Sequence, residues 1–393
     1  MKSLLFVSVL LACNILYVNC AQKSTNNKNG ENTDEPYRIS YKKCLESEKP
    51  YFLSKIVDTI EYIILKTPPK IIITSIKKII LHDGVIYLTS KGILYQFTRD
   101  GNYIGQIGRK GKGPGEYNSV IGFFIDSNKK VIGIFARNKI IYYSLRGDFL
   151  YDTYLQYSQI WEKSDSVFWG ASNPMGIMKT QLIALNSIND TLASLKNYDI
   201  YKNLNGGNLF GVVSKLFRPF YRFNGKQYYK GYEDNDTIWQ LTIPNPTIHA
   251  IIEMGTYKLP IESRVEYSKI NFDKNAHKYV GIPCVLEDKH LFYISSEARN
   301  SKKISTLYHI YDKISNNGYL VTDGITQGIT DDILHGPSFW PMDIDDQYYI
   351  GTVEAYDFIE KIDKLHEKHV EISKIAKQIN ENSNQLLILC RKI

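Results

Sequence analysis

Two stretches of the chain repeat one another: GVIYLTSKGILYQFTRDGNYIGQIG, starting at Gly84, resembles KKVIGIFARNKIIYYSLRGDFLYDTYL, starting at Lys129. Asp100-Gly101 and Arg146-Gly147 occupy equivalent tight turns, about 46 residues apart. A repeat of that period built only of strands is the signature of a four-stranded propeller blade. Radial repetition of such blades leaves few strand edges exposed, and strands from the two chain ends can share one blade and shut the ring.

Between the two copies lies GQIGRKGKGPGEY, Gly105 to Tyr117. Glycine permits positive φ and close backbone approach, and Pro114 fixes its own φ and lacks an N–H, so the run suits a chain leaving one sheet for the next. A phosphate cradle is the competing reading. It fails on context, because neither Lys110 nor Lys112 is followed by Ser or Thr and no helical pattern follows Tyr117. The 30 tyrosines, 16 phenylalanines and abundant isoleucine of the 393 residues favour strands. The net charge of +7 is spread along the chain without a block of five like charges, which speaks for solubility and against a nucleic-acid arm.

Further units follow the same logic: VFWGASNP with QLIALNSINDTLASL, PFYRFNGKQYYKGYEDNDTIWQLTI, and KHLFYISSEA with TLYHIYDKISNNGYLVTDG. Six blades over roughly 340 residues average about 57 residues each, room for compact blades with long loops. From Tyr356 to Asn382 the period changes. Phe358, Ile362, Leu365, Ile372, Ile375 and Ile379 form one stripe, which predicts a single helix over 356–382 packed on the propeller. The run QLLILC then predicts a closing strand over 385–391. The fold class expected is all-β, a six-bladed β-propeller with a C-terminal helix and a closing C-terminal strand.

The N-terminus carries Lys2, then the apolar LLFVSVLLACNILYV, then a polar stretch. This reads as an export signal over residues 1–20, too short for a membrane span. Cys20, at the end of the apolar run, is the expected lipidation site, with Cys13 after Leu-Leu-Ala as the alternative. Simple signal-peptidase cleavage near Cys20 or Ala21 is a further route. Residues 21–40, without large apolar residues over most of their length, read as a flexible polar tether, and 41–393 as the propeller. Cys44, Cys284 and Cys390 are too few and too scattered for a disulfide framework and read as buried fillers or at most one bridge.

Several of these segments resemble one family, the six-bladed β-propeller lipoproteins, distantly NHL-repeat-like, of Gram-negative gut anaerobes. The resemblance rests on IGRKGKGPGEY, NDTIWQL with GTYKLP, GPSFWP leading to EAYDFIEKID, and the ending NENSNQLLILCRKI. Ser158 to Asn208, the fourth blade region, matches little. The resemblance implies a six-bladed propeller beyond the inner membrane and carries no activity or catalytic residues with it.

Candidate chemistry is sparse. In GPSFWP, Phe339 and Trp340 stand on a stiff loop after His335, suited to stacking on a sugar or an apolar face, or to plugging an inter-blade gap. Trp161, Trp169 and Trp239 read as structural. Arg109 and Lys110, with Glu116, either meet an anionic ligand through a backbone nest or are solvated residues of a crossover. Asp331, Asp332, Asp343, Asp345 and Asp346 offer oxygens for calcium but lack a spaced loop and read as turn residues. His366 and His369 miss the His-Glu-x-x-His zinc spacing, no Gly-x-Ser-x-Gly elbow is present, and Arg146-Gly147-Asp148 is explained by a hairpin turn. Asp58, Asp165, Asp190 and Asp236 begin short O-glycosylation-like patterns. No metal or cofactor is implied. The sequence therefore predicts an exported, membrane-tethered, non-catalytic propeller of the cell envelope, an outer-membrane lipoprotein, that binds a protein or glycan partner through its loops. The alternative is a propeller lyase or hydrolase with a metal or acid cluster at the central channel.

Overall fold

A computed structural model describes residues 35–156, 158–172, 179–197, 214–232, 235–258, 279–299, 304–365 and 369–393. The segment Pro36–Ile393 is one compact unit. Among the described residues six sheets of four or five strands follow one another along it and form a six-bladed β-propeller, as the repeat predicts; a two-stranded pair, Arg109–Lys110 with Glu116–Tyr117, lies between two of them. Blade 1 is made from both chain ends. Asp343–Ile344, Tyr348–Val353 and Leu386–Lys392 supply its three inner strands, and Val57–Ile64 is the outermost. Blade 2 spans Ile79–Ile107, blade 3 Gly122–Tyr154 and blade 4 Ile160–Lys196, each a four-stranded antiparallel meander. Blade 5 spans Phe220–Glu253 and blade 6 Val280–Val321.

Each sheet is sandwiched between two neighbours, so both faces of its strands are buried and the sequence reads as apolar runs rather than clean alternation. The closing strand shows this residue by residue. Leu387 and Leu389 point into the cluster shared with blade 2, beside Ile86, Leu88 and Phe97. Ile388 and Cys390 point the other way, into the cluster shared with blades 5 and 6. Phe123 and Phe124 divide in the same manner between the two interfaces of blade 3. Cys44, Cys284 and Cys390 are free and buried, and burial pushes the Cys284 thiol up to about 11.

Two features depart from the sequence expectations. The stretch expected to be tether already contains structure: Tyr37–Ser40 pairs in parallel with Thr247–Glu253 as a fifth strand of blade 5, and Glu48–Lys49 pairs in parallel with Asn317–Val321 of blade 6. Between them the short helix Tyr41–Glu46 buries Tyr41 and Cys44. The N-terminal segment thus runs along the outer edges of blades 5 and 6 before entering blade 1. Second, the apolar stripe after Tyr356 lies on two helices, Ala355–Asp363 and Val370–Ala376. His369 has an extended backbone, ψ 107°, which ends helical geometry between them. Phe358 and Ile372 nevertheless reach one cluster with Leu386, so the stripe still packs on the ring. Among the described residues no helix is long and apolar enough to cross a membrane.

Candidate functional site

The first strands of the blades surround an axial cavity of about 790 Å³. In antiparallel meanders, the connections entering the first strands share one end of the ring with the turns between second and third strands. At that end, charged residues stand immediately before or at the start of first strands: Lys77 and Lys78 before Ile79, Arg218 before Phe220, and Asp343 opening blade 1. Glu162, within the first strand of blade 4, lies across from them.

These groups are unequally satisfied. Lys78 Nζ is 2.6 Å from Glu162 Oε2, both largely sheltered from solvent. Lys77 Nζ donates to the carbonyl oxygen of Lys215 at 2.9 Å, and Arg218 Nη1 donates to that of Leu216 at 3.3 Å. Among the described residues no carboxylate lies within ion-pair distance of Lys77, Lys215 or Arg218. Burial and then the neighbouring Arg218 and Lys215 charges hold the Lys77 ammonium below its usual range. Asp343 accepts the Ile344 N–H at 2.9 Å. Desolvation raises its carboxyl to about 6, against the opposing pull of Lys78, the Ile344 N–H and Arg218; Glu162 adds to the rise.

At the opposite end of the channel the buried carboxylates are paired. Glu287, buried at the end of the first strand of blade 6, accepts from Tyr221 Oη at 2.8 Å and Lys313 Nζ at 2.6 Å, and its Oε2 meets His249 Nε2 at 2.9 Å. Beside it Asp288 Oδ2 accepts the hydroxyls of Tyr293 and Tyr349, each at 2.7 Å. Lys163 pairs with Asp126 at 3.4 Å, and Arg222 donates to the Lys163 carbonyl and to Gln227.

The residues singled out from sequence lie elsewhere. Phe339 is buried in the core, its ring against Gly351, where a Cβ would come within 2.5 Å of it. Trp340 is half-buried, stacked on Tyr308 at 4.5 Å between centroids, with Nε1 donating to Ser295 Oγ. Their loop is pinned by Asp331, which accepts from Tyr62 Oη and the Gly336 N–H, and by Asp332, which accepts from Ser54. His335, at φ +64°, meets the His369 ring at 4.0 Å; His366 lies outside the described residues, as do Cys13 and Cys20. Arg109 and Lys110 are exposed at the junction of blades 2 and 3, where Arg109 pairs with Glu116 at 2.6 Å. Glu116 also accepts the Gly113 N–H, and Tyr117 and Tyr143 hydroxyls tie down Ile107 and Gly115. The geometry brings Phe339, Trp340 and His335 onto one loop, away from Arg109 and Lys110. Neither group lines the axial cavity. Arg146-Gly147-Asp148 forms a hairpin turn closed by Ser144. Asp345 caps its own turn through the N–H groups of Gln347 and Tyr348. Among the described residues no three His, Cys, Asp or Glu side chains gather so as to hold a metal ion.

Of the rim residues the sequence singles out Asp343 alone, as a candidate calcium oxygen; Lys77 and Arg218 are there ordinary charges beside strands. The signal was positional: a cation or acid recurring at the entry to successive blades, visible only once the blades are aligned.

A family described as a domain of unknown function, DUF4934, matches residues 36–391. No curated protein matches the chain. Among solved structures, a Bacteroides fragilis protein described as exported superposes with a TM-score of 0.63 at 16% identity, over 91% of this chain and 99% of that one. A member of the DUF4221 family from Bacteroides vulgatus gives 0.42 at 11% identity, over 86% and 97%. At such identities the first likeness is one of fold.

Proposed function

The chain belongs to the DUF4934 family, and from that premise we propose that it is an exported, membrane-tethered propeller acting as a non-catalytic binding module for a glycan or protein partner, engaged at the end of the ring where the axial cavity opens among Lys77, Arg218 and Asp343. The observation that carries this reading is the axial cavity itself, at whose rim Lys77 and Arg218 meet backbone carbonyls and, among the described residues, no carboxylate within ion-pair distance. Binding energy resides in groups left free for a partner on a rigid frame. Export is supported by the apolar run after Lys2 and its abrupt polar end, and the Bacteroides fragilis protein of like fold is described as exported.

The test is retention of envelope components and of arrayed glycans by the full chain and by Arg218→Glu. Specific retention lost in the variant, with unchanged thermal unfolding, supports the module. Equal retention by both moves the site elsewhere, and turnover of a retained polysaccharide by the wild type replaces binding with catalysis. For the tether, fatty-acid labelling is expected to disappear in Cys20→Ser; labelling that survives in that variant and disappears in Cys13→Ser transfers the anchor, and absence of label in the wild type rules it out.

A further inference from the structure

We propose that the rim of the axial cavity is an anion site that takes a short acidic saccharide, with Lys77 and Arg218 as the cationic clamp. This inference rests on the binding-module reading and deepens it. Lys77 and Arg218, from two distant segments, both line the cavity; Lys77 Nζ reaches the Lys215 carbonyl, and the Arg218 and Lys215 charges act on the Lys77 ammonium. Around the channel Lys78 is matched by Glu162, Lys163 by Asp126 and Lys313 by Glu287, whereas Lys77 and Arg218, like Lys392, meet backbone carbonyls. Like charges held together are unfavourable to the isolated protein, more so where burial removes water. A bound oxyanion offsets that repulsion and supplies charged acceptors in addition to the carbonyls these donors already meet.

Size and lining narrow the ligand class. About 790 Å³ lies within the range of small-molecule pockets. The cavity is enclosed by the first strands of the blades, so it admits a chain end and not a folded surface. Hydroxyl and amide side chains, among them Ser119, Thr89 and Gln159, line it beside Trp161 and Phe217; of its carboxylates Glu162 is paired with Lys78 and Glu287 with Lys313. Such a mixture suits a polyhydroxylated ring carrying a carboxylate or sulfate, the shared chemistry being the oxyanion.

Asp343 makes the site respond to pH. The charged groups acting on it are Lys78 from blade 2, Glu162 from blade 4 and Arg218 before blade 5; Cys284 of blade 6 faces it as a thiol with a raised pKa. Above about 6 the carboxylate is ionised and competes with the ligand for the cationic field. Below that its charge is lost, and an anion binds more tightly.

Calorimetric titration of the full chain with trigalacturonate, a sulfated disaccharide, neutral maltotriose and a penta-aspartate peptide tests this. One-to-one binding of either acidic saccharide is expected, at least ten-fold weaker in Lys77→Gln and in Arg218→Gln, with unfolding temperatures unchanged or raised. Affinity is expected to rise several-fold from pH 8 to pH 5.5 in the wild type, and Asp343→Asn is expected to flatten that dependence. Which of the two acidic saccharides binds separates carboxylate from sulfate. Binding of maltotriose through Arg218 leaves the module standing and overturns the anion site. Preference for the peptide, or no binding of either acidic saccharide, also overturns it, whereas loss of all partner retention in the envelope assay removes the module reading itself.

Discussion

Removing Leu386–Ile393 is expected to abolish the cooperative thermal transition of the whole body and the near-UV circular dichroism of its aromatic interior. The deleted strand is hydrogen-bonded on both sides, to Tyr348–Val353 and to Val57–Ile64, and is the element through which the two chain ends share a blade. Leu386, Leu387 and Leu389 are completely buried and Ile388 nearly so. Truncating one such side chain to alanine costs about 2–5 kcal/mol. Losing four, together with two ladders of backbone bonds, exceeds the roughly 5–15 kcal/mol that a domain has in hand. The single variant Leu389→Ala is expected to lose about 2–5 kcal/mol in a denaturant titration. Tyr154→Ser, on the exposed outer strand of blade 3, is expected to change stability by no more than about 0.5 kcal/mol. A truncated chain that unfolds cooperatively within a few degrees of the full one would show that the ring holds without its last strand.

Glu287→Leu is expected to destabilise by about 3–5 kcal/mol, the range for a buried ion pair stripped of one partner. The carboxylate is fully buried and Lys313 nearly so. Its loss leaves the Lys313 ammonium and the Tyr221 hydroxyl facing an apolar side chain, and leaves His249 without its acid. Pairing the change with Lys313→Met should recover most of the loss, because a well-packed apolar pair often replaces a buried ion pair without net cost. The pH dependence has a definite sign. Burial already holds the Lys313 ammonium below its usual range, with Glu287 and Asp288 pulling it back up. Without Glu287 its folded pKa falls further below the unfolded value. The folded state then binds fewer protons than the unfolded one across that interval, so the deficit shrinks as pH rises through it. A Glu287→Leu protein as stable as wild type at pH 7, or a double variant worse than the single one, would sink this account.

Much of the ring was legible in the chain because blades are buried on both faces. LLILC and VIGIFA read as continuous apolar runs, and the turns at Gly101 and Gly147 need the positive φ that they show. The edge strands Tyr37–Ser40 and Glu48–Lys49 were not legible. A parallel addition of a few residues borrows its geometry from the strand it joins and needs no apolar period of its own. The stripe from Phe358 to Ile379 showed which face is buried and not where the backbone breaks, since His369 interrupts the helix without disturbing the spacing. At the site the difficulty was of another kind. Phe339 and Trp340 in sequence are aromatic rings on a stiff loop, and nothing in their order tells a ligand platform from a plug; here Gly351 and Tyr308 cover them. Lys77 and Arg218 acquire meaning only from convergence across the axis, a property of closure and not of any local pattern.

The route of the N-terminal segment also constrains the birth of the molecule. Tyr37–Ser40 precedes its partner Thr247–Glu253 by some 200 residues, and Val57–Ile64 precedes its partner Leu386–Lys392 by some 320. Asp58 and Arg391, which pair in the finished ring, are 333 residues apart. Each of these seams must wait for its distant partner, and until then the earlier strand keeps an unpaired edge, the condition that slows folding and leaves a chain open to aggregation.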